Sequence, residues 1–156
     1  GASTACGMAL GLKHSKSKSR VYLILGDGES QEGQVWEMAL FAAQNKLGNF
    51  ITFLDYNKRQ LDGYVKDINN LDDPVAKFES FNWYTVKIKG DDPDLIQETI
   101  KDVQKKQGDR PAMIVLDTVK GAGVQQIVDI EKNHHNTITP ELADEIIGQL
   151  EEFKKG

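Results

Sequence analysis

Three shortages in the sequence exclude whole classes of protein. The single cysteine, Cys6, cannot form an internal disulfide framework and fits a reducing, cytoplasmic location. No apolar run approaches the roughly 20 residues that a membrane span requires, and no signal peptide opens the chain. The formal net charge of −5 argues against a nucleic-acid or anionic-membrane surface. We therefore expect no nucleic-acid partner and no membrane association.

The length is ordinary, whereas the first residues are unusual. A chain of 156 residues can bury a hydrophobic core of its own, so we predict one domain over residues 1–156. The chain has no starting methionine, and residues 1–12 have the small, apolar composition of a closely packed helix. We therefore expect a partial chain whose fold is incomplete at the N-terminus.

Apolar runs alternate with segments of helical spacing along the chain. The predicted strands are residues 21–25, 50–54, 83–88 and 112–116. The predicted helices after the first are residues 34–47, ended by Gly48, then 75–81, 93–107 and 140–153. Strand 83–88 alternates apolar and polar residues and is placed near a sheet edge, and segment 58–71 shows no clear period. This order predicts a three-layer α/β/α domain with a mainly parallel sheet.

Polar residues follow the first two predicted strands where those strands end. Gly26, Asp27 and Gly28 follow the first strand, and Asn57 follows the second, thirty positions after Asp27. That spacing accommodates one helix and one strand, as a parallel crossover requires. Because ligands bind beyond the carboxyl ends of parallel strands, we expect Asp27 and Asn57 to lie side by side there.

This pair of side chains suits a hard divalent cation. Carboxylate and amide oxygens are hard ligands, and Mg²⁺ takes few protein ligands because it keeps waters and ligand phosphates. The glycines that flank Asp27 leave room for a phosphate, and a helix that starts near Glu32 or Gly33 would offer backbone N–H groups to an anion. The motif therefore predicts a site for a phosphorylated ligand and a cation.

The Gly26-Asp27-Gly28 motif with Asn57 resembles the thiamine-diphosphate-binding motif, in which Asp and Asn hold the Mg²⁺ that bridges the diphosphate. Further matching segments are residues 26–29, 31–37, 46–49, 55–57, 61–63 and 118–121. Together they resemble the N-terminal, thiamine-diphosphate-binding domain of transketolase over essentially the whole chain. The resemblance implies transfer of a two-carbon ketol unit between phosphorylated sugars in carbohydrate metabolism, within the pentose phosphate pathway.

The resemblance also implies a role for individual residues. The Mg²⁺ (or Ca²⁺) ligands would be the side chains of Asp27 and Asn57 and the backbone carbonyl of Arg59. His134 would lie near the cofactor and the substrate hydroxyls, and Glu32 would act through a glutamate of the partner domain at the dimer interface. The residues placed against the cofactor are Asp27, Gly28, Glu29, Asn57, Leu61, Lys120 and His134.

The resemblance implies a partner as well. In that family the cofactor lies between two domains from different protomers, and the second domain binds the pyrimidine ring. The chain would therefore be one half of a site, either the N-terminal subunit of a split transketolase or a truncated piece of one. We expect a homo- or hetero-oligomer, with apolar surface left exposed on the isolated chain.

Other interpretations of the same residues stay open. Another thiamine-diphosphate enzyme, such as the α-type subunit of a 2-oxoacid dehydrogenase or a sugar-phosphate synthase, shares the Gly-Asp-Gly and Asn elements. A folded fragment that binds no cofactor is a third possibility. Locally, His134 could be a solvated loop residue and Lys120 a loop charge. Glu29 and Glu32 could be acids favoured in the first turn of a helix.

Overall fold

The computed structural model of the protein describes residues 1–130 and 133–153. The helices are α1 (Ala2–His14), α2 (Gly33–Gln44), α3 (Val65–Ile68), α4 (Pro74–Ser80), α5 (Pro93–Lys106), α6 (Gln125–Val128) and α7 (Pro140–Phe153). The strands are β1 (Val21–Gly26), β2 (Phe50–Tyr56), β3 (Arg59–Gln60), β4 (Gly63–Tyr64), β5 (Tyr84–Lys89) and β6 (Ala112–Asp117). None of the helices in these ranges has the length and apolar character needed to cross a membrane.

A parallel four-stranded sheet forms the centre of the fold. Its order is β1-β2-β6-β5, and every neighbouring pair runs parallel. Gly26 pairs with Asp55, and Tyr56 pairs with Asp117. The carboxyl ends of β1, β2 and β6 therefore lie level at one edge, and the loops that follow them meet there. Strand β5 lies at the sheet edge, as its alternating sequence predicted.

Side chains of successive strand residues point to opposite faces, and the two faces of the sheet carry separate cores. On one face, α1, α2 and α4 pack over the sheet around fully buried Phe50, Leu54 and Met113. On the other face, Ile51 and Ile114 pack with α5 residues around Val103. The predicted three-layer α/β/α architecture with a mainly parallel sheet is confirmed.

Aromatic side chains fill one end of the first core. Trp83 is fully buried, packs edge-on against Phe50 and Phe78, and donates a 2.9 Å hydrogen bond from Nε1 to the Ala39 carbonyl. Trp36 packs on Phe78 with ring centroids 5.3 Å apart. These aromatic contacts and the hydrogen bond pack α2 and α4 against the sheet.

Two local predictions were wrong. Helix α2 ends at Gln44 rather than at residue 47, and the left-handed residue after it is Lys46 (φ 51°) rather than Gly48. Gly48 instead lets the backbone at Gly108 pack closely against it, because a Cβ on residue 48 would lie 2.3 Å from the Gly108 carbonyl oxygen. Segment 58–71, which has no sequence period, forms the β3–β4 hairpin and α3.

The outer face of β1 stays exposed in the described part of the chain. Ile24 is 71% exposed and Tyr22 is about half exposed, although both belong to an apolar strand. Helix α5 contacts the Tyr22 hydroxyl through a hydrogen bond from Gln104. The expected exposed apolar surface is therefore present.

Candidate functional site

A cleft of about 770 Å³ lies at the carboxyl ends of β1, β2 and β6. Its walls come from the loop after β1, the hairpin after β2 and the loop after β6. The lining residues are Gly26, Asp27, Gly28, Glu29, Asp55, Asn57, Arg59, Gln60, Leu61, Thr118, Val119, Lys120, Gly121, Ala122 and His134. All residues that the sequence placed against the cofactor or the metal are in this set, whereas Glu32 is not.

Asp27 is an unusual member of the cleft wall. It is 2% exposed, yet neither carboxylate oxygen has a hydrogen-bond partner within the described ranges. Burial raises the pKa of this carboxyl to about 6, and the charge of Asp55 also raises the pKa. The nearby backbone N–H groups of Lys58 and Asn57 lower the pKa, although neither is placed to form a full hydrogen bond with either carboxylate oxygen. A buried carboxylate without partners is costly, and a bound cation would satisfy it.

The raised pKa predicts how stability depends on pH in the absence of divalent ions. Folding favours the protonated Asp27 carboxyl, so its contribution is fully present below the usual pKa of 3.8 and is lost as pH rises through about 6. The free energy of unfolding of Asp27→Asn, relative to the parent, should therefore rise by about 3 kcal/mol between about pH 4 and pH 8.

Urea unfolding in EDTA across this pH range measures the difference. Glu98→Gln, which removes an exposed carboxylate on α5, is the control and should show a difference that does not change with pH. A constant difference between Asp27→Asn and the parent would contradict the assignment of Asp27 as a buried, unpaired carboxyl.

Asn57 is held at both ends of its amide. Its Nδ2 donates a 3.0 Å hydrogen bond to Asp55 Oδ2, and its Oδ1 accepts a 3.0 Å hydrogen bond from the Arg59 backbone N–H. The amide oxygen has two lone pairs, so one is left for a cation. The backbone carbonyl of Arg59 is the third predicted ligand. The Arg59 side chain donates hydrogen bonds to the Ile130 carbonyl and the Tyr64 hydroxyl.

The donor set fits a Mg²⁺-type cation rather than zinc. Within the described ranges, no group of three or more His, Cys, Asp or Glu side chains could hold a metal. Asp27 and Asn57 would supply only hard oxygen donors to such a cation, and water and ligand phosphates would supply the rest.

The loop after β1 forms a short 3₁₀ turn, Glu29–Gln31, before α2 begins. Gly26 and Gly28 line the cleft, and a Cβ on Gly26 would meet no heavy atom within 4 Å, which leaves space beside the strand end. Helix α2 begins at Gly33, as predicted, but the cleft lining ends at Glu29 on this side. The 3₁₀ turn thus separates the lined cleft from the start of this helix, and the role of the helix N–H groups toward an anion stays a prediction.

Lys120 and His134 meet at the mouth of the cleft. Lys120 Nζ lies 2.7 Å from His134 Nδ1. A lysine ammonium has donors only, so a hydrogen bond between the two requires Nδ1 to accept and the ring hydrogen to lie on Nε2. Asn133, only 8% exposed, donates hydrogen bonds to the carbonyls of Lys120 and Ile127 and so joins the two segments. His134 lines the cleft and His135 does not, and the role of His134 in the site stays a prediction.

The remaining predicted residues differ in position. Leu61 is exposed at the tip of the β3–β4 hairpin and lines the cleft. Glu29 lines it too, and its Oε2 accepts a hydrogen bond from the Gly26 N–H. Glu32 lies outside, exposed, with its carboxylate 2.5 Å from the Gln34 side-chain amide. Its role at an interface stays a prediction.

Sequence reasoning missed the polar lining residues Asp55, Gln60 and Thr118 and the nearby Asn133. Asp55 and Thr118 share a short hydrogen bond across the ends of β2 and β6, and Asn133 anchors the His134 segment. The only signal that could have found Asp55 and Thr118 was their position at the carboxyl ends of strands. Asn133 had no signal, because its partners are carbonyls of other loop residues.

Fold and cleft together define an α/β domain with a ligand-binding cleft at the carboxyl edge of a parallel sheet. The chain belongs to the transketolase family: the family model described as "Transketolase, thiamine diphosphate binding domain" matches residues 11–151. The predicted resemblance is thereby confirmed.

Known relatives and structures agree with this assignment. The chain is 38% identical over 151 residues to the 6-deoxy-6-sulfo-D-fructose transketolase subunit SqwG of Clostridium sp. (strain MSTE9), covering 97% of this chain and 54% of that protein. It is 38% identical over 154 residues to an apulose-4-phosphate transketolase subunit of Actinobacillus succinogenes, covering 99% of this chain and 54% of that protein. The chain therefore spans about half the length of these curated relatives.

The fold is likewise that of a solved transketolase. The crystal structure of transketolase from Campylobacter jejuni superposes with a TM-score of 0.84 at 25% identity, over 98% of this chain and 24% of that chain. Transketolase from Leishmania mexicana superposes with a TM-score of 0.73 at 16% identity, over 99% of this chain and 28% of that chain, which shows the fold alone.

Proposed function

We propose that residues 1–156 act as one diphosphate-binding domain that holds thiamine diphosphate through Mg²⁺ in a transketolase-type enzyme, with Ca²⁺ as an alternative ion. The observation that carries the proposal is the buried Asp27 carboxylate, whose oxygens lack hydrogen-bond partners among the described residues and which lines the same cleft as Asn57. The Arg59 carbonyl is the third proposed protein ligand. A cation at these oxygens would offset the charge of the diphosphate.

The other cleft residues have distinct proposed roles. The backbone at Gly26 and Gly28 leaves room for the diphosphate, with Glu29 beside it, and Leu61 supplies apolar contact to the rings. When bound, thiamine diphosphate supplies the electron sink for cleaving and forming a carbon–carbon bond, and the protein supplies positioning. His134, with its hydrogen on Nε2, donates a hydrogen bond to a substrate oxygen.

The substrates and the assembly belong to the same proposal. We place a ketose phosphate as the donor of a two-carbon ketol unit. The partner is a pyrimidine-binding domain, on the same or a separate polypeptide, that covers the open side of the cleft. The relatives from Clostridium and Actinobacillus are named as subunits, which supports a two-chain enzyme in which Glu32 meets a partner residue. The cytoplasmic location and the pentose phosphate pathway stay predictions.

A cofactor titration tests the proposal directly. Thiamine diphosphate added with Mg²⁺ should change the tryptophan fluorescence in a saturable way, and the change should disappear in EDTA. Thiamine monophosphate is the matched control, because it lacks the second phosphate that completes the cation shell. Equal binding with and without Mg²⁺ would contradict the cation role. No response in either case would leave a folded, non-binding fragment.

Donor preference separates the two enzyme classes. In the enzyme assembled with its partner, a ketose phosphate such as fructose 6-phosphate should be consumed in the presence of an aldose acceptor. Pyruvate, a 2-oxoacid, should not be consumed. Consumption of pyruvate alone would assign the chain to the 2-oxoacid class.

A further inference from the structure

The segment that would carry two of the cation ligands, Asn57 and Arg59, has a strained backbone. We call residues 57–59 the cation loop. Lys58, between the two, has a φ of 66°, in the left-handed region that a residue with a side chain avoids. Such strain persists only where the surrounding structure determines it, and it is found at ligand sites.

The end of β6 holds this loop through two contacts. Asp117 accepts a short hydrogen bond from Lys58 Nζ and a 3.1 Å contact from Lys87, and the two cations keep the pKa of Asp117 below its usual value. The Thr118 carbonyl accepts a second bond from Lys58 at 3.2 Å. The left-handed residue is therefore fastened to the neighbouring strand.

A further contact from the end of β6 reaches the ligand amide itself. The Thr118 hydroxyl donates a short hydrogen bond to Asp55 Oδ1, and the other oxygen of the same carboxylate accepts from Asn57 Nδ2. Asp55 thus uses both oxygens, one toward β6 and one toward the cation loop. A rotated Asn57 amide would present Nδ2 to the Arg59 N–H and Oδ1 to the Asp55 carboxylate, and both hydrogen bonds would be lost.

We propose that Thr118 and Asp55 are positioning residues for the cation: Thr118 holds the Asp55 carboxylate, and Asp55 holds the Asn57 amide with its oxygen free to bind the metal. This inference rests on the proposed function. Removal of partners that orient metal ligands typically weakens metal binding about 10- to 100-fold.

Thr118→Val is the decisive variant because it removes the hydroxyl, keeps the shape and leaves every charge in place. Its Mg²⁺ affinity, measured at saturating thiamine diphosphate, should fall about 10- to 100-fold, and Thr118→Ser should restore it. Asp55→Asn should weaken binding in the same direction, because one amide oxygen cannot replace both carboxylate acceptors. The matched control is Thr52→Val on β2, whose buried hydroxyl has no hydrogen-bond partner among the described residues.

A second measurement needs no ligand. The Arg59 N–H is protected by Asn57 Oδ1, so its hydrogen exchange should speed up in Thr118→Val and stay parent-like in Thr52→Val. Parent-like Mg²⁺ affinity and parent-like exchange in Thr118→Val would overturn the inference. If Arg59 exchange is faster in Thr118→Val but the parent binds no Mg²⁺, the hydrogen-bond network exists. That result would still overturn the inference that the network positions a cation, and with it the proposed function.

Discussion

Replacing Asp27 with alanine is expected to abolish Mg²⁺-dependent retention of thiamine diphosphate, weakening binding by more than about 100-fold. Loss of an orienting partner alone typically costs about 10- to 100-fold, and Asp27 is proposed to contact the ion directly. The same variant should fold as well as the parent or better without divalent ions, because it removes a buried carboxylate that lacks partners in the described part of the chain. Calorimetric titration with Mg²⁺ and the cofactor measures the first effect, and urea unfolding in EDTA measures the second.

Loss of binding together with kept or raised stability distinguishes this result from misfolding, which would lower both. Asp62→Ala is the matched control, since it removes an exposed carboxylate from the hairpin turn next to the cleft. It should bind Mg²⁺ and the cofactor like the parent. Parent-like binding by Asp27→Ala would show that the ion is held elsewhere, and the proposed site would be wrong.

The main parts of the fold follow from short-range patterns in the sequence. Strands β1, β2 and β6 are runs of apolar residues, β5 alternates, and the helices between the strands have one apolar face, so their order predicts a parallel sheet with two covered faces. The Asp27–Asn57 spacing then predicts two adjacent strand ends, which the Gly26–Asp55 pairing reproduces. These inferences need no knowledge of long-range contacts.

Most of the features that were missed depend on contacts between distant parts of the chain. Gly48 reads as a helix terminator, but its real constraint is the carbonyl of Gly108, sixty residues later. The network of Asp55 and Thr118 joins residues 63 positions apart, and no local pattern indicates it. The β3–β4 hairpin was missed for another reason, since two residues on each side are too few for any period to show.

His134 illustrates a residue that the family resemblance pointed to and for which the structure supplies a hydrogen-bond partner. Its position follows from spacing within the loop after β6, whereas its tautomer follows from the Lys120 ammonium at Nδ1. Gly121 makes the turn between them possible, since its φ is +85° and a Cβ there would lie 2.8 Å from Ile127. The ring therefore lines the cleft with its hydrogen-bond donor, Nε2, unclaimed by Lys120.

His134→Ala is accordingly expected to lower kcat of the assembled enzyme by about 100-fold or more, the range in which a positioned acid or base contributes. The affinity for thiamine diphosphate and Mg²⁺ should stay close to that of the parent, because none of the three proposed metal ligands is changed. His134→Gln, whose amide can place an N–H near the position of Nε2, should retain more activity than His134→Ala. Steady-state kinetics with a ketose phosphate donor, alongside cofactor titration, measures both quantities.

His135→Ala is the matched control, because it removes the neighbouring exposed imidazole that does not line the cleft. Its kcat should equal that of the parent. Two outcomes would contradict the proposed role: loss of cofactor binding in His134→Ala without a separate fall in kcat, or an equal fall in kcat in both histidine variants. The first would make His134 a cofactor-binding residue only. An equal fall in kcat in both variants would show that the loss comes from a disturbed loop and not from the missing His134 ring, because a hydrogen-bond donor at Nε2 acts only where it faces the substrate.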